Sequence, residues 1–515
     1  MNPHRLFPLL RQPALYWLLL LGSALLTPLA FAPYRLYWLM PLLFGLLLLL
    51  THLRPQYMVR SAYLWGLAAY TAQFYWINIA LHDVAGLPQL YAVPLTLLLP
   101  AYLALYPALC FWLLEKFRLP ALPRLLLVLP PLWTLGEYAR EHALTGFGWG
   151  ALGYSQIAAS PLAGFAPVGG IHLVTLATAW LAALWVALLL ADTTRPRLAA
   201  LATTVLLLVA GYGLKQHAFT TPDGTRASVA LGQGNIEQTL KWNPEQVAPT
   251  LQRYYNQVAE SHADIVILPE TSIPVMRQDL PEGIINQFAD QAARNGSALA
   301  LGIAQYTDNG QGYLNAVINL SDYNPEQPDA LPFYAKDHLV PFGEYIPLPA
   351  LTGWLYQMMN IPLSGFTPGG QAQAPLLLGN QKVAFNICYE DGFGDELIAS
   401  AKQASLLANV SNMAWYGNSY AMDQHLQQSQ ARALELGRYM VRATNTGMTA
   451  IINPHGQIIA LLPANTAQVL HGEIEGRQGE TPYMRLGSSR PLMLLLAGVL
   501  LGIFVWARRR RVSIS

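Results

Sequence analysis

The stretch "KVAFNICYEDGFGDE", residues 382–396, decides how this chain is read. Its opening, rich in Val, Phe and Ile, predicts a strand, and Cys388 and Tyr389 follow where that strand gives out. Loops at the ends of strands in an α/β sheet gather into a crevice, so a thiol delivered there can meet groups from distant parts of the sequence. The surroundings of this thiol oppose it. Glu390, Asp391, Asp395 and Glu396 all follow closely, and negative neighbours push a thiol above its usual pKa of about 8.5. Glu390 reads as a group orienting the pocket by hydrogen bonding. Asp391, Asp395 and Glu396 read as the start of the next helix, where carboxylates suit the positive end of the dipole. A nucleophilic Cys388 therefore needs a base and a cation from elsewhere.

Outward from this stretch, residues 220–485 alternate short apolar runs with amphipathic ones. Strands are predicted at "ASVALGQGNI", "DIVILPE", "ALALGIAQY", "LNAVINLS", "SLLANVSN", "MTAIINPHG" and "QVLHGEIE". Helices are predicted at "EQVAPTLQRYYNQVAESH" and "EGIINQFADQAARNG", the second stopped by a glycine. Such alternation predicts a layered α/β domain.

The rest of the chain is of another kind. Hydrophobic residues make up 53% of the 515 positions and charged residues 11%, well below the charged share of about 25% usual in a soluble domain. Apolar stretches near 13–32, 36–52, 59–81, 89–114, 124–140, 168–191 and 198–214, with an eighth near 491–507, are each read as a transmembrane helix. The expected organisation is a seven-helix membrane domain over 1–215, a catalytic domain over 220–485 and a last membrane helix with a basic end over 490–511. Basic residues fall in alternate loops, in "MNPHRLFPLLRQ", "THLRPQYMVR", "EKFRLPALPR" and "TTRPR", and again in "ARRRR". The positive-inside rule then puts both termini in the cytoplasm and the α/β domain outside it.

A net charge of +1 argues against nucleic acid as a partner. With two cysteines there is neither a disulfide scaffold nor a cysteine zinc site. His338 and His425 have no clustered ligand partners, so no metal and no cofactor is assigned. Cys110 lies in an apolar run and reads as a small buried hydrophobe. "GWGALG", residues 148–153, fits a dinucleotide pattern but has no predicted strand before it. Glu137, Arg140 and Glu141 nearby are expected to pair with one another.

Two further segments place a reactive side chain at or just past a strand end. "DIVILPETSIP" delivers Glu270, and "FYAKDHLVPFGEYIP" delivers Lys336 with Glu344 eight residues on. Taken singly these read as a solvated carboxylate and a surface charge. Together with Cys388 they form a chemically sensible set. A carboxylate can take the thiol proton, while an ammonium and the Tyr389 backbone N–H can hold an oxyanion.

Glu, Lys and Cys in the contexts "LPE", "YAKDHLVPFGE" and "ICYE" resemble the nitrilase superfamily, which implies an αββα sandwich. With membrane spans on both sides, and with "QGNIEQTLKWNP" and "NVSNMAWYGNS", the whole chain resembles the apolipoprotein N-acyltransferases of bacterial inner membranes. The resemblance implies Glu270 as general base, Lys336 as oxyanion stabiliser, Cys388 as nucleophile and Glu344 as an assistant to Lys336. It implies acyl transfer from a membrane phospholipid to the N-terminal amine of a diacylated lipoprotein through a thioester, with a periplasmic catalytic domain. Trp242, Asn412, Trp415 and Glu390 are read as pocket residues, and the protein as a monomer. The apolar segment "LPALTGWLYQMMNIPLSGFTPGG", residues 348–370, is read as dipping into the membrane interface. A membrane-tethered hydrolase using the same three residues, or an inactive receptor on the same fold, are the alternatives. The intact Glu270, Lys336 and Cys388 argue against the second.

Overall fold

The computed structural model describes residues 7–10, 12–321, 323–327, 330–356, 358 and 365–512. The chain divides into two compact units. One comprises Met1–Tyr75, Val93–His217 and Ser488–Ser515, the other Trp76–Ala92 and Ala218–Gly487.

The second unit is built on two six-stranded sheets. The first holds β1 (Thr221–Gln233), β2 (Ile265–Ile267), β3 (Ala298–Tyr306), β4 (Tyr313–Asn319), β5 (Phe333–Ala335) and β12 (Gln468–Gln478), in the order β12-β1-β2-β3-β4-β5. The second holds β6 (Leu376–Leu378), β7 (Gln381–Ile387), β8 (Leu406–Ser411), β9 (Met440–Thr444), β10 (Ala450–Ile452) and β11 (Ile458–Leu461), in the order β11-β10-β9-β8-β7-β6. The central pairs β1/β2, β2/β3, β7/β8 and β8/β9 are parallel and the outer pairs antiparallel. Strands covered on both faces read as continuous apolar runs, which is why "IVI" of β2 shows no alternation.

The alternation survives in where each side chain goes. Val229, Leu231, Ile265 and Ile267 of the first sheet pack with Phe385, Ile387, Ala408, Val410 and Val441 of the second, forming the layer between the sheets. Their neighbours Ala230 and Val266 face outward onto the helices Pro244–Ala259 and Ile284–Arg294, through Tyr254, Val258 and Phe288. On the far side Ala384, Leu407 and Met440 meet the helices Gly394–Ala401 and Tyr420–Leu436, through Leu397, Ile398, Leu426 and Leu436. The result is helix, sheet, sheet, helix. The helices expected at 245–262 and 282–296 form at Pro244–Ala259 and Ile284–Arg294, and Gly296, at φ +71°, follows the second. Of the four carboxylates after Cys388, Asp395 and Glu396 do open a helix, Gly394–Ala401. Asp391 does not. It is fully buried against Arg442, Asn386 and Ser429, because the chain first makes a 3-10 turn over Cys388–Gly392.

In the membrane-type unit, four helical stretches among the described residues are long and apolar enough to cross a bilayer: Gln89–Lys116, Pro161–Leu190, Thr194–Gln216 and Arg490–Arg509. The expected count of about eight spans is not confirmed among the described residues. The stretches expected as spans two and three form a pair, Leu39–Leu53 and Pro55–Phe74, bent by 114°, where Pro55 removes a backbone donor. Pro13–Leu25 is 13 residues long, about 20 Å at the helical rise of about 1.5 Å per residue and short of a core of about 30 Å. The stretch expected at 124–140 becomes the helix Leu129–His142, whose last turns bury charge. Its charged residues also take partners outside their own group. Glu137 accepts from Trp133 Nε1, Leu152 N and Thr175 Oγ1, each at 3.0 Å, Arg140 donates to the carbonyls of Phe147 and Trp149, and Glu141 lies 3.2 Å from His172. Arg140 thereby folds "GWGALG" into a turn, with no strand before it. Cys110 is buried, as expected, its thiol directed at the Leu132 carbonyl.

Candidate active site

Glu270 stands three residues past β2, Lys336 directly after β5 and Cys388 directly after β7. The first two belong to one sheet and the third to the other. The structure brings them together. Lys336 Nζ lies 3.9 Å from Glu270 Oε1 and 2.8 Å from Glu344 Oε2, and Lys336 is 1% exposed while both glutamates are 8% exposed. Burial alone would lower the lysine pKa, but the Glu344 and Glu270 carboxylates and Cys388 raise it above its ordinary value, so it stays charged. Cys388 is half-buried. Burial first and Glu270 next push its thiol up to about 12, against the pull of Lys336 and of an N–H of Asn412. At neutral pH it rests as a thiol beside a carboxylate and a fixed positive charge.

Backbone geometry explains how each group is presented. Cys388 has φ +53°, in the left-handed region, which costs a residue bearing Cβ about 1–2 kcal/mol. This sharp bend turns the strand straight into the 3-10 turn, with Tyr389 next in line. Glu270 sits against Gly302 of β3, where a Cβ would come within 2.4 Å of the Pro269 carbonyl and 2.8 Å of the Glu270 Cα. Only glycine allows that approach. At the end of the segment 348–370 the chain returns to Glu344 and Lys336. Gly365 N and Phe366 N donate to the Glu344 carbonyl and Gly369 N to the Lys336 carbonyl, each at 2.9 Å.

Several residues at the site were not singled out by sequence. Asn315 of β4 donates from one Nδ2 to Glu270 Oε1 at 2.8 Å and to Glu344 Oε1 at 3.0 Å, holding both carboxylates around the ammonium. Lys241, 4% exposed, donates to the Glu270 carbonyl at 3.2 Å. Burial pulls its amine down to about 8, while Glu270 and Cys388 draw it back up. Tyr416 is packed edge-on by Trp76, with centroids 4.6 Å apart. Its hydroxyl is raised by burial and then by Cys388.

The residues read as pocket lining divide. Glu390 is 3% exposed and is turned into the protein rather than towards an open cleft. Its Oε2 accepts from Ile387 N at 2.6 Å and Tyr334 OH at 2.9 Å, and its Oε1 from Asp337 N at 2.7 Å and His338 N at 3.1 Å. It thus ties the Lys336 strand end to the Cys388 bend. Burial pushes its carboxyl up to about 7, opposed by the Ile387 N–H, Lys336 and the N–H groups of Asp337 and His338. The Asn412 side chain is engaged with Gln238, Asn445 and the N–H of Ala414, and caps the turn that carries Trp415 and Tyr416. Trp415 and Trp242 are each partly exposed. Tyr389 packs edge-on against Phe393 and His338. Among the described residues no group of His, Cys, Asp and Glu could hold a metal ion.

Comparison with known proteins gives two family matches. Residues 228–483 match the carbon-nitrogen hydrolase family, and residues 23–184 the apolipoprotein N-acyltransferase N-terminal domain. Among curated relatives, an apolipoprotein N-acyltransferase of Neisseria meningitidis serogroup A is 65% identical over 499 residues, covering 96% of this chain and 97% of the relative. One from serogroup B of the same species is 64% identical, covering 97% and 98%. One from Chromobacterium violaceum is 53% identical over 509 residues, covering 98% and 97%. On full-length similarity of this degree, with both domains matched, the chain belongs to the apolipoprotein N-acyltransferase family.

Proposed function

We propose that this enzyme moves a fatty acyl chain from a membrane phospholipid to the N-terminal α-amine of S-diacylglyceryl-cysteine apolipoproteins, with Cys388 as the carrier. Glu270 takes the thiol proton as Cys388 Sγ attacks the ester carbonyl. Lys336 and the Tyr389 N–H face the oxygen on which charge develops. Collapse of this intermediate breaks the ester bond. The departing lysophospholipid oxygen takes the proton back from Glu270, leaving a thioester. The lipoprotein amine then attacks the thioester carbonyl, Glu270 accepts its proton, and the thiolate leaves and is reprotonated. One hard transfer becomes two easier ones, with ping-pong kinetics.

The observation that carries this reading is the gathering of Glu270, Lys336 and Cys388 around one buried ion pair in a member of this family. Glu344 and Asn315 keep the lysine and the base apart and fixed. Trp242, Trp415 and Asn412 are assigned to the walls of the pocket. The domain plan of 1–215, 220–485 and 490–511 and the monomeric state belong to the same proposal, as do the cytoplasmic termini and the periplasmic catalytic domain, which the alternation of basic loops supports. So does the entry of acyl chains past residues 348–370, where the exposed Leu348 and Trp354 flank and occupy the helix Pro349–Tyr356. Gln357 and residues 359–364 of that segment lie outside the described residues.

Intact-protein mass spectrometry after incubation with phospholipid tests the reading. A mass gain of one acyl chain on Cys388, discharged by a diacylated lipopeptide, is expected. Undiminished lipopeptide acylation by Cys388→Ala sinks it, and rapid release of free fatty acid with no amine present favours hydrolysis.

A further inference from the structure

The outer face of the second sheet is apolar at Ala384, Leu407 and Met440 and turns polar further along the strands. Asn386 of β7, Asn409 of β8 and Arg442 of β9 stand side by side in the parallel register, on the face that Ala384, Leu407 and Met440 otherwise present to the helices. Above this row the helix Tyr420–Leu436 lowers His425 and Ser429, and the 3-10 turn lowers Asp391. All these groups are almost completely buried, His425 at 1% exposed and Arg442 and Asp391 at 0%. Burying so much polarity one residue from Cys388 costs free energy unless each group is satisfied.

The bonds in this cluster run in one direction. Arg442 Nη1 reaches Asp391 Oδ2 at 3.3 Å, Asn409 Oδ1 at 2.9 Å and Ser429 Oγ at 3.0 Å, while its Nη2 lies 2.6 Å from His425 Nδ1. A guanidinium has donors only, so His425 Nδ1 must accept and carries no proton. The proton of the neutral ring is then on Nε2, which lies 2.8 Å from the Cys388 carbonyl oxygen and donates to it. Asn409 Nδ2 adds a longer bond to the same oxygen at 3.4 Å. The carbonyl so held belongs to the residue whose φ is +53°.

We propose that His425 is a positioning residue of the acyl-transfer site: in the tautomer imposed by Arg442, it anchors the Cys388 carbonyl and keeps the nucleophile's backbone in its left-handed bend. The ring touches no substrate. It offsets the cost of a conformation that residues with a Cβ avoid, and so holds Sγ towards Glu270 and Lys336 while the Tyr389 N–H follows in place. Burial and the neighbouring Arg442 lower the basicity of the imidazole, which agrees with a ring that stays neutral. Asp391 and Ser429 act one step back, by holding Arg442.

The proposal rests on Cys388 being the nucleophile, and its test separates the two. In the full-length enzyme in detergent, His425→Leu is expected to slow single-turnover acylation of Cys388 by tenfold or more with the KM for phospholipid within about twofold. His425→Gln, whose amide can still donate to the carbonyl, is expected to stay within about threefold of wild type. Leucine at wild-type rate, or glutamine falling as far as leucine, overturns the proposal. The second measurement needs no folded variant at this position. The imidazole 15N spectrum of the wild-type enzyme at pH 7, with His425 assigned by exclusion as the other histidines are replaced singly, should show a neutral ring protonated on Nε2. A ring protonated on Nδ1, or on both nitrogens, overturns it. If Cys388→Ala keeps full activity, the catalytic reading fails while this spectrum still reports on the anchor.

Discussion

Lys336 rests on Glu344 at 2.8 Å and stands 3.9 Å from Glu270. The closer partner balances the charge of the lysine, which leaves the other carboxylate free for the base role proposed for it. Glu344→Gln removes that charge and lets the ammonium settle on Glu270. Acylation of Cys388 should then fall about 10- to 100-fold, about 1.4–2.7 kcal/mol in barrier, in single-turnover mass spectrometry. Lys336→Met should abolish acylation and destabilise the fold by about 3–5 kcal/mol in denaturant melts, because it strands buried carboxylates.

Asn315 holds both carboxylates from a single nitrogen. Asn315→Ala should slow acylation by about tenfold to a hundredfold, since hydrogen bonds to charged groups contribute about 1.5–3 kcal/mol. Asn315→Asp should do worse, because it sets a third negative charge between two others. An aspartate variant faster than the alanine variant, in the same single-turnover assay, would contradict this account.

Glu390 gives a pH dependence of definite sign. Its carboxyl is pushed up to about 7, so it is mostly neutral below that pH and charged above it. All four of its partners donate to it, and a protonated carboxyl loses acceptor capacity towards them. Acylation should therefore decline as pH falls through about 7 and hold above it. Glu390→Gln should be slower by tenfold or more and lack that acidic limb, which a pH profile of single-turnover rates reads directly.

Alkylation of Cys388 and its acylation should respond in opposite directions to one substitution at Glu270. With the thiol pushed up to about 12 by burial and by Glu270, alkylation by iodoacetamide should keep climbing with pH through pH 9. A plateau near pH 6 would mean a resting thiolate. Glu270→Gln removes a nearby negative charge and should quicken alkylation at pH 8, yet slow acylation from phospholipid by more than about a hundredfold.

Much of this site can be read along the chain because strands punctuate it. Glu270, Lys336 and Cys388 each follow an apolar run, and a sheet collects its strand ends. Asn315 and Arg442 are not legible in that way. Each lies inside a strand, in "YLNAVIN" and "MVRAT", and looks like an ordinary polar position until register places it beside its partners. β9 itself escapes a periodicity reading because all five residues, arginine included, are buried. His425 offers no metal-ligand spacing, and its tautomer follows only from a contact with a residue 17 positions away. Asp391 misleads for the same reason, since a carboxylate before a helix suits its dipole but here answers to Arg442. In the membrane unit, hydropathy measures apolar length and not direction, so it passes over the 114° bend after Leu53.

Glu270 and Lys336 ride on one sheet and Cys388 on the other, and the Glu390 carboxylate is clasped by strand ends from both. On the proposed mechanism the reacting atoms are therefore the two jaws of a vice whose screw is the layer between the sheets. Alignment at the mouth depends on packing well behind it, at Val317 and Phe385, for example. Trimming either side chain should loosen the grip on the ester without touching a polar group, so that core variants of this enzyme would first be noticed as slow catalysts and only later as unstable ones.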